Sequence, residues 1–153
     1  KSVDTIGFCL SKGLSCPIGS VICGPNDFII EAKRWRKMLG GGMRQAGVFA
    51  AAGIVGLNSM IDRMEEDHEN ARKLAFGLSE FSQIIIDPES IKTNIVRFDL
   101  KEMDSDDFAS RLRKNGVLIN GSVKSKSLRM VTHYGIISED IDYTIEQVSK
   151  IIN

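Results

Sequence analysis

The stretch that most constrains the fold is residues 43–57, MRQAGVFAAAGIVGL. Apart from Arg44 and Gln45 it consists of small and apolar residues, which predicts a helix buried nearly all round. Small side chains also let neighbouring backbones approach closely. The elements on both sides of this helix mix strands and helices, so the sequence indicates an α/β protein.

Two short strands and a helix are predicted before this segment. TIGFCL (5–10) and IGSVICG (18–24) are rich in apolar and β-branched residues, and TIGFCL is expected to be buried. Asp27 is predicted to be the N-cap of a helix over 28–39, which three glycines, 40–42, terminate.

An amphipathic pattern runs from Ile61 to Phe81 and predicts a long helical stretch, bent near Asn58-Ser59. Strands and helices alternate after it. The predicted strands are 82–87, 93–100, 117–120 and 127–132, and the predicted helices are 105–116 and 138–153. A boundary near Asp87-Pro88-Glu89 marks the change to a small α+β unit.

Composition excludes few classes of protein but disfavours several. Lys plus Arg and Asp plus Glu are both 20, and this balance argues against a dedicated binder of nucleic acid or anionic membranes. No apolar stretch approaches the roughly 20 residues that span a bilayer.

Three cysteines without a nearby histidine make a zinc site improbable and fit a reduced, intracellular chain. The first residues lack both an initiator methionine and a secretory h-region, so we expect a processed chain or the downstream part of a longer one.

Lys12 stands in the turn CLSKGLSCPIGS, residues 9–20. One interpretation is a surface lysine without a function. The other is a nucleophilic lysine at a strand end, where partial burial and nearby cations lower its pKa. The small residues around Lys12 favour the second interpretation, because they let backbone approach a bound group.

Arg44 follows the glycine run in GGGMRQAG, residues 40–47. Glycines that open a helix, with an arginine in its first turn, form a plausible phosphate site. A flexible joint between helices with an exposed arginine is the alternative. The spacing does not match a P-loop. Four further basic residues precede the run, of which Lys33 and Arg34 are expected to be solvated: Lys33, Arg34, Arg36 and Lys37.

Arg129 alternates with apolar residues in SLRMVTHYG, residues 127–135, and therefore faces the opposite side of its strand from Leu128 and Met130. If that side lines a cleft, its guanidinium suits a carboxylate. His133 is expected to make a capping or other hydrogen bond. An amine nucleophile, a phosphate site and a carboxylate site together indicate pyridoxal phosphate chemistry on an amino acid.

These residues also carry a family resemblance. CLSKGLSCPIGS, RWRKMLGGGMRQAGVFAAAG, EDHENARKLA and LRMVTH closely resemble the low-specificity L-threonine aldolases, over essentially the whole chain. The resemblance implies a pyridoxal 5'-phosphate enzyme of the aminotransferase-like fold type I. It further implies that Lys12 is the catalytic lysine of the internal aldimine, that Arg44 assists phosphate binding, and that Arg129 holds the substrate carboxylate.

The same resemblance implies a position in that fold and a reaction. The chain would supply the end of the large-domain sheet with the Schiff-base lysine (1–60), a long connecting helix and link (61–87) and a small C-terminal α+β domain (88–153). The reaction would cleave L-threonine or L-allo-threonine to glycine and acetaldehyde in a cytoplasmic dimer or tetramer. Family chains are about twice as long, so we expect the ring-stacking histidine, the pyridinium aspartate and the phosphate loop in a missing upstream half. The isolated chain is then expected to be nearly inactive.

Two other functions stay open at this point. A second pyridoxal phosphate enzyme, a transaminase or a lyase that acts by β-elimination, would use the same lysine. A phosphate-binding or assembly module would not need Lys12, and there the small-residue helix would only form an interface.

Overall fold

The computed structural model describes residues 2–122 and 125–152, and it forms two compact units, 1–63 and 64–153. Lys1, at which the predicted first segment starts, and Asn153, at which the last predicted helix ends, lie outside the described residues. The division into segments 1–60, 61–87 and 88–153 stays a prediction.

The first unit contains one hairpin and two helices. Strands β1 (Ile6–Cys9) and β2 (Ser20–Cys23) pair antiparallel, with Ile6 opposite Cys23 and Cys9 opposite Ser20. Helices α1 (Asn26–Met38) and α2 (Gly47–Ser59) follow. β1, β2 and α1 lie where the sequence predicts them, but α2 begins at Gly47 rather than at residue 43, and β1 is largely exposed rather than buried.

Asp27 is not the N-cap of α1. The N-cap is Pro25, with φ −58° and ψ 158°, and it makes no side-chain cap hydrogen bond. The fixed φ of this proline suits a helix start, and Asp27 lies in the first turn, where its charge favours the positive end of the helix dipole.

Helix α2 is not buried nearly all round. Only Gly53 and Gly56 are buried, whereas Val48, Ile54 and Val55 are each more than 60% exposed. Apolar composition all round predicts burial only if neighbouring elements cover every side. Within the described residues that covering is confined to the glycine side of α2.

The second unit is a four-stranded antiparallel sheet with three helices. The strands are β3 (Ile84–Ile85), β4 (Ile95–Leu100), β5 (Asn120–Ser122) and β6 (Ser125–Val131), in the order β3-β4-β6-β5. The helices are α3 (Met64–Ser79), α4 (Ser105–Lys114) and α5 (Ser138–Ile152), and a 3₁₀ turn covers Pro88–Ser90.

Several boundaries in this region differ from the prediction, and β3 covers only Ile84–Ile85 of the predicted 82–87. The amphipathic run is interrupted at residues 60–63, after the predicted bend, and α3 begins at Met64. Strand β5 begins at Asn120 rather than 117. Gly116 has φ +80°, and Val117 donates its N–H to Leu112 O over 3.0 Å, so the end of α4 uses the first residues of the predicted strand.

One face of the sheet forms the core of this unit. Strand residues alternate, so that Val96, Phe98 and Leu128 are buried while their neighbours on the strands face the other way. The helices contribute the remaining buried side chains, among them Ala71, Leu74, Leu78, Phe108, Leu112, Ile141 and Val148. Gly77 lets α3 and α5 approach, because a Cβ there would collide with Ile145.

Candidate active site

Lys12 lies in a small closed loop at the tip of the β1–β2 hairpin. Leu10 N–H donates to Gly19 O over 2.9 Å and extends the hairpin by one residue. Cys16 N–H donates back to Leu10 O over 3.1 Å, and Ser15 N–H donates to Lys12 O over 2.8 Å. Three backbone hydrogen bonds thus hold the segment that carries Lys12.

The backbone of this loop adopts a rare conformation at Ser15, whose φ is +54°. Left-handed conformations of residues other than glycine cost about 1–2 kcal/mol and persist only where the surroundings enforce them. Such positions concentrate at functional sites, and this one lies three residues after Lys12.

Helix α2 supports the loop through its two buried glycines. A Cβ at Gly56 would lie 2.9 Å from Cys16 Sγ and 3.0 Å from Leu14 O, and a Cβ at Gly53 would lie 3.1 Å from Leu10 Cδ1. The Cys16 thiol points at Ala52 O, 3.3 Å away. The small residues of α2 therefore allow the close approach of backbones that the sequence predicts.

Within this loop, Leu14 and Cys16 take the buried positions and Lys12 is exposed. The partial burial expected for a nucleophilic lysine is therefore not found among the described residues. The loop therefore presents the amine of Lys12 to solvent, on a backbone that hydrogen bonds hold on both sides.

The three glycines terminate α1 rather than opening α2, which corrects the predicted anion site. Gly40 has φ +78°, and its N–H donates to Lys37 O over 3.2 Å. Gly41 N–H donates to Arg36 O over 2.8 Å, which completes a Schellman motif. Left-handed backbone at Gly40 is the conformation that glycine adopts without strain.

Arg44 lies before α2 and not in its first turn. Residues 44–46 form a turn in which Gln45 has φ +58°, and the helix begins only at Gly47. The Arg44 side chain is exposed, as are the four basic residues of α1: Lys33, Arg34, Arg36 and Lys37. The guanidinium of Arg44 can therefore reach a phosphate, but the N-terminus of α2 does not begin at this residue as the sequence predicted.

Arg129 lies on β6 with an exposed side chain, between the buried Leu128 and Met130, as the alternation predicts. His133 comes after the end of β6, and its Nδ1–H donates to Tyr134 O over 2.9 Å. This agrees with the hydrogen-bonding role predicted for the histidine. Lys12 and Arg44 belong to the first unit, and Arg129 belongs to the second.

Arg97 is a residue that the sequence analysis missed. It lies on β4 directly opposite Arg129 and is also exposed. Both arginines stand at alternating positions of apolar strands, in IVRFDL and SLRMV, and that shared pattern was visible. Which residues face one another depends on the register, however, and the register becomes known only when the strands are paired.

Comparison with known proteins gives the family. The model of the beta-eliminating lyase family matches residues 1–101, which is more than half of the chain. The chain belongs to the beta-eliminating lyase family. The low-specificity L-threonine aldolase 1 of Arabidopsis thaliana is 39% identical over 95% of this chain and 41% of its own length. The low specificity L-threonine aldolase of Escherichia coli K12 is 39% identical over 90% of this chain and 40% of its own length. The chain thus spans about two fifths of these curated relatives.

Solved structures give the fold. An aminotransferase from Streptoalloteichus hindustanus matches with a TM-score of 0.73 and 19% identity, over 96% of this chain and 52% of that one. The 8-amino-7-oxononanoate synthase of Francisella tularensis matches with a TM-score of 0.72 and 14% identity, over 95% and 44%. The predicted α/β fold of the aminotransferase-like fold type I is confirmed.

None of the helices described is both long and apolar enough to cross a membrane. Within residues 2–122 and 125–152, no three His, Cys, Asp or Glu side chains are grouped so that they could hold a metal ion.

Proposed function

We propose that this chain belongs to a pyridoxal-phosphate-dependent aldolase that cleaves L-threonine and L-allo-threonine to glycine and acetaldehyde. The observation that carries the proposal is the exposed amine of Lys12 on a loop closed by three backbone hydrogen bonds. Two relatives at 39% identity are named low-specificity L-threonine aldolases, which supports an aldolase reaction on L-threonine.

The residues present fit the proposed cofactor. An aldehyde needs a primary amine that it can reach, and Lys12 is exposed. A phosphate dianion needs cationic donors, and Arg44 is an exposed guanidinium that follows the Schellman turn. The strained backbone at Ser15 and the close contact with α2 limit the movement of the Lys12 loop, which favours a fixed attachment point.

Each residue has a separate task in the proposed reaction. Lys12 would hold pyridoxal phosphate through its side-chain amine. Arg44 binds the phosphate group, and Arg129 orients the substrate through its carboxylate. When bound, the cofactor supplies an electron sink for the electron pair left on Cα as the Cα–Cβ bond breaks. We expect the base that removes the β-hydroxyl proton to be a histidine or a water molecule, not Lys12.

The test is a comparison of lysine variants in the complete enzyme with bound cofactor. Lys12→Ala should lower the release of glycine and acetaldehyde from threonine by at least about 1,000-fold, because a covalent attachment point is lost. Lys33→Ala is the matched control, since Lys33 is an exposed lysine of α1. Equal activity of the two variants would show that Lys12 has no catalytic role.

A second function is favoured by the match to the beta-eliminating lyase model. A β-eliminating enzyme would also use Lys12 but would release the β-substituent with its bonding electrons instead of breaking Cα–Cβ. Incubation with threonine and, separately, with cysteine distinguishes the two functions. Glycine plus acetaldehyde supports the aldolase, whereas pyruvate, ammonia and sulfide from cysteine would support elimination.

We further propose a cytoplasmic dimer or tetramer that takes part in threonine breakdown and glycine formation. The three cysteines are free thiols, which agrees with a reducing compartment. Exposed apolar residues on α2, including Val48, Ile54 and Val55, would suit a subunit contact. Because the chain spans about two fifths of its relatives, we expect residues 1–153 alone to cleave little or no threonine.

A further inference from the structure

The paired arginines Arg97 and Arg129 stand out on the open face of the second unit's sheet. The register places them directly opposite one another on β4 and β6. Their strand neighbours Val96, Phe98 and Leu128 are buried on the other face. Both guanidinium groups therefore extend from the same, exposed face of the sheet.

The hydrogen bonding shows how close this pair is. Thr132 N–H donates to Asn94 O over 3.0 Å, so Asn94 and Thr132 form a hydrogen-bonded pair. Pairs alternate along antiparallel strands, which makes Val96 and Met130 the next hydrogen-bonded pair. Arg97 and Arg129 then form a non-hydrogen-bonded pair, the closer kind, with Cα atoms about 4.5 Å apart.

Two like charges at this spacing destabilise a sheet unless something offsets them. In the part of the chain that the structure describes, neither guanidinium has an ion-pair partner. Asp99 is the acidic group on the same face of β4, half-buried and opposite Ser127. With Asp99 ionised, the three groups carry one net positive charge, which a single carboxylate would neutralise.

We propose that Arg97 is a second binding residue for the carboxylate that Arg129 holds; this inference rests on the proposed function. A carboxylate offers about four acceptor positions on two oxygens, and one bidentate guanidinium occupies only two of them. The opposite guanidinium can take the others. Arg97 thus strengthens recognition of the α-carboxylate and does not select an acidic group elsewhere on the substrate.

The test uses the complete enzyme with bound cofactor and two small probes, glycine and glycinamide, which differ in the carboxylate. Isothermal titration calorimetry measures the Kd of each probe. Arg97→Gln should weaken glycine binding by about 10-fold, because a charge-assisted hydrogen bond is lost. Binding of glycinamide should change less than about twofold, and Arg97→Lys should restore part of the loss for glycine.

Arg113→Gln is the matched control, since Arg113 is an exposed arginine in the last turn of α4. It should leave both Kd values unchanged. Equal weakening of both probes by Arg97→Gln would mean a structural role and overturn the inference. A third probe, β-hydroxyaspartate, carries a second carboxylate. If Arg97→Gln weakened the binding of β-hydroxyaspartate and left glycine binding unchanged, Arg97 would bind that second carboxylate, and the inference would be overturned too.

The failure of this inference can be told from the failure of the proposed function. An unmodified enzyme that binds no glycine and cleaves no threonine overturns both. An unmodified enzyme that binds glycine, with an Arg97→Gln variant that binds it equally well, overturns the role of Arg97 alone.

Discussion

Residues 64–153 gather their hydrophobic side chains into one buried cluster, whereas most hydrophobic side chains of residues 1–63 are exposed. In the described part of the first unit, the buried hydrophobic side chains are Leu10, Leu14 and Cys16, all in the loop around Lys12. The second unit buries a core that spans its sheet and all three of its helices. In the first unit, therefore, the buried hydrophobic side chains hold the Lys12 loop, whereas the second unit is stabilised by its own core.

The largest expected effect is on the core of the second unit. Phe108 is fully buried and packs edge-on against Phe98, with ring centroids 6.2 Å apart. Phe108→Ala should lower the free energy of unfolding by about 3–5 kcal/mol, because it leaves a cavity. Amide hydrogen exchange should show the lost protection in β4 and α4. Similar loss of protection in α1 and β1 would contradict the view that this core stabilises the second unit alone.

A smaller effect is expected where α2 supports the Lys12 loop. Gly56→Ala would place a Cβ 2.9 Å from Cys16 Sγ and 3.0 Å from backbone, and should cost about 1–3 kcal/mol of local stability. Gly47→Ala is the control, because nothing lies within 4 Å of a Cβ there. Faster exchange of the Cys16 amide in the Gly56 variant alone would support this view. Equal exchange in both variants would show that α2 does not hold the loop.

A cap in the second unit should contribute about 1 kcal/mol. Asp104 Oδ1 accepts from the N–H groups of Asp106 and Asp107, over 2.9 and 3.1 Å, and caps α4. Asp104→Ala should lower the urea midpoint, and Asp104→Asn should keep most of the stability because it retains an acceptor. If the asparagine variant lost as much as the alanine variant, the carboxylate charge and not the hydrogen bonds would be responsible.

The smallest effect is expected on the exposed side of α2. Ile54→Ser should change the stability of the chain by less than about 0.5 kcal/mol, because Ile54 is 62% exposed. In the complete enzyme the same variant should promote subunit dissociation, measured by analytical ultracentrifugation, if α2 forms the proposed subunit contact. An unchanged sedimentation coefficient would remove this face from the interface.

The parts of the fold that depend on local pattern could be predicted from the sequence. The alternation in SLRMV predicted a strand with the correct buried face, and helical spacing predicted α3 and α5. The errors lie where one backbone angle decides the outcome. The left-handed Gln45 delays the start of α2, and Gly116 with the Val117 hydrogen bond shortens the predicted strand.

The candidate site was predictable to a different extent. Residue types and motifs indicated Lys12, Arg44 and Arg129, because the chemistry of an amine or a guanidinium follows from the side-chain type alone. Arg97 could not be found, since its relation to Arg129 depends on strand register. The exposure of α2 could not be predicted either, because the apolar composition of a helix does not determine which neighbouring elements pack against it.

The proposed function requires above all that Lys12 carries the cofactor. Borohydride reduction of the protein from its native source, followed by peptide mass spectrometry, measures this, because reduction makes the lysine–cofactor bond permanent. We predict a pyridoxyl group on the peptide that contains Lys12 and none on the lysines of α1. A pyridoxyl group on another lysine, or an unlabelled Lys12 in a protein that retains cofactor, would contradict the role proposed for Lys12.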